Sequence, residues 1–188
     1  MAYFADFSMR EGFEANYKPV QVPADNKRGF KIKYQYVGPW YVWNADEREV
    51  FVAKQKILTS CVISLMLYLV ASVQNVPVNY DRFVSMTGLL SLAPFLFVAV
   101  GVGELMFSKE RMTHQDFTAI SGKLKIATVL HGALLMLCGG LAAWVIIRDG
   151  NDLSHLFVAA CYALAGLQSM AVFMTFRQLK HRKMENDE

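Results

Sequence analysis

Four stretches of this chain are too long, too apolar and too free of charge to belong to a water-soluble core. Residues 57–80 hold no Asp, Glu, Lys or Arg in 24 positions, residues 83–107 hold only Glu104, and residues 126–147 and 153–176 hold none. A helix rises about 1.5 Å per residue and the hydrocarbon core of a bilayer is about 30 Å thick, so about 20 residues suffice to cross. Backbone polar groups in lipid must be paired within a helix or a closed barrel, and segments of this length exclude strands. The expected fold is an all-α membrane protein, a four-transmembrane-helix bundle with a short cytoplasmic N-terminal β-hairpin.

The remaining residues carry the charge, and its distribution predicts orientation. Of 19 Lys and Arg, nine precede residue 57. Four lie between the second and third spans (Lys109, Arg111, Lys123, Lys125) and four follow the fourth (Arg177, Lys180, Arg182, Lys183). The other two connections hold one each, Arg82 and Arg148. Basic residues flanking spans stay on the cytoplasmic side. The chain is therefore expected in the plasma membrane, the inner membrane of a bacterium, as a multi-pass protein with both termini cytoplasmic. A net charge of +3 is too small to argue for nucleic acid. The basic run after the fourth span reads as an anchor beside anionic headgroups.

Residues 1–29 show no helical or strand periodicity and no apolar h-region of a signal peptide, and are expected to form an extended cytoplasmic arm. Phe4, Phe7 and Phe13 are its candidate docking contacts. Residues 30–56 form an aromatic hairpin and the start of the first helix. Alternation in Phe30-Lys-Ile-Lys-Tyr34, a Gly38-Pro39 break and the following Trp40-Tyr-Val-Trp43 predict two strands turning at the break. Tyr34, Tyr36, Trp40, Tyr41 and Trp43 are candidate interface anchors, since Trp and Tyr favour the headgroup zone. The alternative is a recognition platform. Asn44 is placed to cap the first helix with Glu47 at its third position, and Thr113-His-Gln-Asp116 has the shape of a second capped start. The helix begun at Thr113 is expected to continue through Gly122 into the third span. The transmembrane domain covers residues 57–176, and residues 177–188 form a basic and acidic cytoplasmic tail.

Few residues within the spans can carry chemistry. Small pairs spaced by four (Ala99/Gly103, Gly139/Ala143, Ala159/Ala163, Ala165/Ser169) permit close helix approach. Pro94 frees the Leu90 carbonyl and predicts a kink, with Ser91 available to satisfy the freed group. Glu104 is costly within a span, and a shallow carboxylate there can also pair with Lys109 or Lys125. Thr128, His131, Leu135, Cys138 and Ala142 share one helix face. Antiparallel neighbours bring Glu104, His131 and Gln168 to one depth, which makes them the candidate polar cluster. Interhelical hydrogen bonding is the simpler role for that cluster. The pattern K-x-K-I-x-T recurs at Lys54 and Lys123 before two spans of the same direction, as duplicated helical hairpins would show.

No catalytic, cofactor-binding or metal-binding signature is present. Cys61, Cys138 and Cys161 fall within apolar segments and outside any C-x-x-C pair, so they read as small buried residues. His131 and His155 belong to opposite ends of their spans and cannot share one haem iron.

Tyr36-Val-Gly-Pro-Trp-Tyr-Val-Trp43 before the first span and Arg111-Met-Thr113 after the second resemble a group of small four-helix membrane proteins, without assigned activity, from anaerobic Gram-positive bacteria. The resemblance implies no cofactor or site. The expected function is that of a non-enzymatic accessory or scaffold subunit in the lipid bilayer, bound to a membrane-protein partner or to further copies of itself. The alternative is a small oligomeric transporter or ligand-binding bundle built on Glu104, His131 and Gln168.

Overall fold

The computed structural model describes residues 16–23, 30–150 and 155–184. Among these residues, four helices are long and apolar enough to cross a membrane. They are α1 (Glu47–Ser72), α2 (Arg82–Met106), α4 (Thr128–Arg148) and α5 (Leu156–Gln178). A shorter helix, α3 (His114–Gly122), continues through a π-helical turn, Lys123–Ala127, into α4. The chain is thus helical without a break from His114 to Arg148. Apolar side chains cover the outer faces: Leu89 is 69 %, Ile126 72 % and Ile147 70 % exposed. A surface of that kind suits hydrocarbon and not water.

The helices do not pack in sequence order. α4 and α5 share the most extensive interface, α1 packs mainly on α5, and α2 mainly on α4, whereas α1 and α2 scarcely touch. The spatial order is α1–α5–α4–α2. This differs from two duplicated hairpins, because the first and second halves pair their helices unlike one another.

Small residues explain why α4 and α5 come closest. A Cβ added to Gly139 would lie 2.9 Å from the Ala159 carbonyl oxygen and 3.0 Å from the Ala163 nitrogen. One added to Gly166 would lie 2.9 Å from the Gly132 carbonyl oxygen. Glycine at these three positions lets the two backbones touch, which is how helices gain dispersion energy where lipid removes the hydrophobic drive. Of the small pairs named from the sequence, Gly139 of one and Ala159 and Ala163 of another meet across this interface. Gly103, by contrast, faces open space.

Five short strands complete the described chain. β1 (Tyr17–Pro23) and β2 (Phe30–Tyr36) form an antiparallel ribbon running from Tyr17↔Tyr36 to Pro23↔Phe30. β3 (Trp40–Trp43) lies between β4 (Arg111–Met112) and β5 (His181–Met184), antiparallel to both. The expected hairpin over residues 30–43 is therefore corrected. Both of its strands form, but they do not pair with each other. β2 finds seven partners in β1, which falls within the stretch expected to be an extended arm, while β3 pairs through all four residues with β5 and through Tyr41 and Val42 with β4. Pro19 and Pro23 are tolerated in β1 because each strand of a two-stranded ribbon has an open edge. Phe4, Phe7 and Phe13 lie outside the described residues.

Caps fix the helix starts. Thr113 Oγ1 accepts from the Asp116 N–H at 3.2 Å, as the capping pattern predicts. Asp81 Oδ1 accepts from Phe83 and Val84 at the start of α2. α1 begins after Asp46 and not after Asn44, whose N–H instead donates to the Lys180 carbonyl at 2.9 Å. That bond ties the entry of α1 to the exit of α5. α2 runs unbroken through Pro94, and the Ser91 hydroxyl donates to the Gly88 carbonyl at 2.7 Å and not to that of Leu90.

Replacing Gly139 or Gly166 with Ala should destabilise the bundle by about 1–3 kcal/mol, the usual cost of overpacking, since backbone atoms are among the nearest that must give way. Gly140→Ala, with no atom within 4 Å of the new methyl, should be neutral or better. Unfolding of the purified protein in mixed detergent micelles measures all three.

Candidate functional site

The fully buried polar residues of the spans gather in one layer across the middle of the bundle. Ser64, Ser91, Thr128, His131 and Ser169 are each at most 2 % exposed. Apolar clusters lie on either side. One includes Tyr68, Val84, Leu135, Cys138 and Tyr162, the other Ile57, Val98, Leu105, Val172 and Phe176. Within the layer each helix interface carries one side-chain to backbone bond. Ser64 Oγ of α1 donates to the Ala165 carbonyl of α5 at 2.8 Å. Ser169 Oγ of α5 donates to the Thr128 carbonyl of α4 at 2.9 Å. His131 Nδ1 of α4 lies 2.9 Å from the Ser91 carbonyl of α2. A carbonyl only accepts, so Nδ1 carries the proton and Nε2 is left with a lone pair. Nε2 is buried and has no hydrogen-bond partner among the described residues. These bonds follow the α1–α5–α4–α2 order and join all four helices.

Glu104 takes part in a different contact. Its carboxylate pairs with the Lys123 ammonium. Local sequence explains the approach: a Cβ on Gly101 would lie 3.0 Å from Lys123 Cβ, so glycine lets α2 press against the π-helical turn. Glu104, three residues further on, then reaches Lys123, and not Lys109 or Lys125. Gln168 is half-buried and joins no hydrogen bond among the described residues. The candidate cluster of Glu104, His131 and Gln168 is thus distributed over separate contacts. His131 belongs to the polar layer, Glu104 to the end of the bundle nearer the sheet, and no bond links them.

The five aromatic candidates belong to the strands. Tyr41 stacks on Phe117 of α3 with centroids 4.6 Å apart and planes 5° from parallel. The His181 ring lies 4.3 Å from that of Phe117, tilted by 44°, and Trp43 meets both Phe117 and Phe176 edge-on. Tyr36 packs against Trp40 at 5.0 Å, donates its hydroxyl proton to the Pro39 carbonyl and accepts from the His114 N–H. His114 Nδ1 and the Tyr41 hydroxyl share a bond of 3.1 Å. Three of the five aromatics, Tyr36, Tyr41 and Trp43, therefore bind the strands to α3, and Trp40 packs on Tyr36. Tyr34 is 60 % exposed on β2. Burial of its ring pushes the Tyr36 hydroxyl above its ordinary range.

The roles of Lys123, Phe117 and His181 were not marked in the sequence. Lysines before spans look alike, and nothing local marks which one meets a carboxylate. The only forward signal for Phe117 was its place one turn into a capped helix. Among the described residues, no three His, Cys, Asp or Glu side chains come together in a way that could hold a metal ion. Cys61, Cys138 and Cys161 are buried free thiols. No protein-family model matches the chain, and neither a curated protein nor a solved structure matches it.

A double-mutant cycle with Glu104→Gln and Lys123→Gln should show coupling of about 0.5 kcal/mol or more. The cycle of Glu104→Gln with His131→Ala should be additive within error. A second expectation concerns pH. Burial, and then the nearby Lys125 charge, hold the His181 imidazole below its ordinary value of 6.5. The native state thus binds this proton less readily than the unfolded one, so its contribution is present above pH 6.5 and is lost as the pH falls through the lower native value. Acidification from pH 7.5 to 5.5 should loosen the sheet, seen as a change in the near-ultraviolet signal of Trp43 and Tyr41. His181→Gln should flatten that change.

Proposed function

We propose that this chain is an integral membrane protein with both termini and the segment before α3 in the cytoplasm, acting as a non-enzymatic accessory or scaffold subunit of a membrane complex. Seventeen of the 19 basic residues fall on the side so assigned, the side on which positive charge is retained. The sheet supports the same sidedness. β3 precedes α1, β4 lies between α2 and α3, and β5 follows α5, so three separate parts of the chain meet at one end of the bundle.

The observation that carries the scaffold reading is the use made of the polar groups. Ser64, Ser169 and the Nδ1 of His131 are all bonded to helix carbonyls, and Glu104 is neutralised by Lys123. Groups committed in this way hold helices together and leave little to line a solute path, which weakens the transporter alternative. Outside the spans, β2 presents Phe30, Ile32 and Tyr34 on one face and Lys31, Lys33 and Gln35 on the other, because side chains alternate along a strand. Ile32 is 52 % exposed. A face of mixed aromatic and aliphatic character beside a basic one fits contact with another protein.

The topology is tested by cysteine labelling after Cys61, Cys138 and Cys161 are replaced by Ala. Asn79→Cys should react from outside sealed cells and Gln115→Cys only after permeabilisation; external reaction of the latter would reverse the orientation. The function is tested in two arms. A photo-crosslinking amino acid at Ile32 should yield one dominant protein adduct in native membranes. The purified protein in sealed liposomes should give no solute flux. Flux that disappears on Glu104→Gln or His131→Ala would overturn the scaffold reading in favour of transport.

A further inference from the structure

A cleft of about 330 Å³ opens where α5 ends, between β3, the π-helical turn and the start of β5. Trp43, Phe117 and Phe176 form its aromatic wall, and Lys125, Arg177 and Lys180 bring three cations to it. No Asp or Glu is among the lining residues, and no ion pair engages any of the three cations among the described residues. Positive charge collected without a counter-ion raises the local concentration of anions.

Two further features point to a ligand. The Trp43 indole nitrogen is buried and has no hydrogen-bond partner among the described residues. Indole N–H only donates, so the group that satisfies it is an acceptor. The height of the cleft is the second feature. Lys125 immediately precedes the uncharged run 126–147, and Arg177 immediately follows the run 153–176. The cations therefore stand at the level where two adjacent spans leave hydrocarbon, the depth of lipid phosphates. Basic recesses between helices at this level suit anionic headgroups.

We propose that this cleft binds a phosphate group presented by an anionic lipid headgroup, with Lys125, Arg177 and Lys180 neutralising it and the Trp43 N–H donating to a phosphate oxygen. The aromatic wall of Phe117 and Phe176 lies against the glycerol and first acyl carbons. His181 lines the same cleft, where burial first, and then the positive field of Lys125, lower its proton affinity. Bound anion relieves that field and holds β5 against α3. This inference goes beyond the scaffold reading and does not depend on it, since the cleft is a property of the chain by itself.

The test uses full-length protein in neutral detergent, with Trp40→Phe and Trp144→Phe so that Trp43 alone reports. Short-chain phosphatidylglycerol should change the Trp43 emission saturably, at one equivalent, and at least tenfold lower concentration than phosphatidylcholine. Lys125→Gln, Arg177→Gln and Lys180→Gln should each weaken binding about fivefold, as expected for one cation beside an anionic surface. Lys125→Arg should retain it, and Lys109→Gln, which lines a separate cleft, should leave it unchanged. Trp43→Phe, followed by native mass spectrometry, should lower the bound lipid fraction. Inorganic phosphate is the second arm. Saturation by it at comparable concentration would support the phosphate site and assign it to a soluble ligand; no response would leave the lipid as the source. Equal affinity for the two lipids would overturn the proposal, and that comparison needs no charge variant to fold. Unchanged binding in all three neutral variants, with helical circular dichroism intact, would overturn it as well.

Discussion

A donor without water must find a carbonyl, and the bundle is arranged around that requirement. Hydrocarbon offers no hydrogen bonds, so an unsatisfied hydroxyl or imidazole within a span is costly. Ser64, Ser169 and His131 each meet it by bonding to the backbone of the neighbouring helix. Because a backbone carbonyl in a helix already serves its own ladder, the side chain reaches it only at its second lone pair and only when the helices are close. Glycine at 132, 139 and 166 supplies that closeness between α4 and α5. Packing and hydrogen bonding therefore depend on each other, and the order α1–α5–α4–α2 is the order in which both are satisfied.

The end of the bundle is organised by a different force. Once the chain leaves the spans, strand pairing and aromatic stacking take over. β3 has four residues and could not persist alone, since short ribbons are marginal in water. It is held by β4 and β5 on its edges and by α3 beneath, where Tyr41, Trp43 and His181 surround Phe117. α3 is presented there because it continues into α4 through the π-helical turn. That turn also directs Lys123 to Glu104 and Lys125 to the opposite cleft. Two lysines two residues apart thus serve two different surfaces.

These two regions bear differently on function. The interior spends its polar groups on cohesion, which suits a subunit whose role is to hold a position. The charged and aromatic features that remain available lie on the sheet and around it, where a protein or an anionic headgroup can reach them. The proposed scaffold role and the proposed headgroup site call on different surfaces and are compatible in one molecule.

Much of this was legible in the chain. Charge-free length alone placed α1, α2, α4 and α5, because a span must satisfy its own backbone and that demand is local. Thr113 and Asp116 marked α3 for the same reason, and helical spacing put Thr128, His131, Leu135, Cys138 and Ala142 on the buried face that they occupy. The partners were not legible. Whether Trp40–Trp43 pairs with residues ten positions earlier or with Arg111–Met112 and His181–Met184 depends on strand edges that only the packed helices bring together. Likewise Glu104 could meet any of several lysines, and Gly101 decides for Lys123 by how closely α2 can approach. The sequence by itself determined which segments form helices long and apolar enough to cross a membrane, since hydrogen bonding within a helix is a short-range matter. Which helices and strands become neighbours was decided by the tertiary structure, where close approach at glycine and the second lone pair of a distant carbonyl have no signature along the chain.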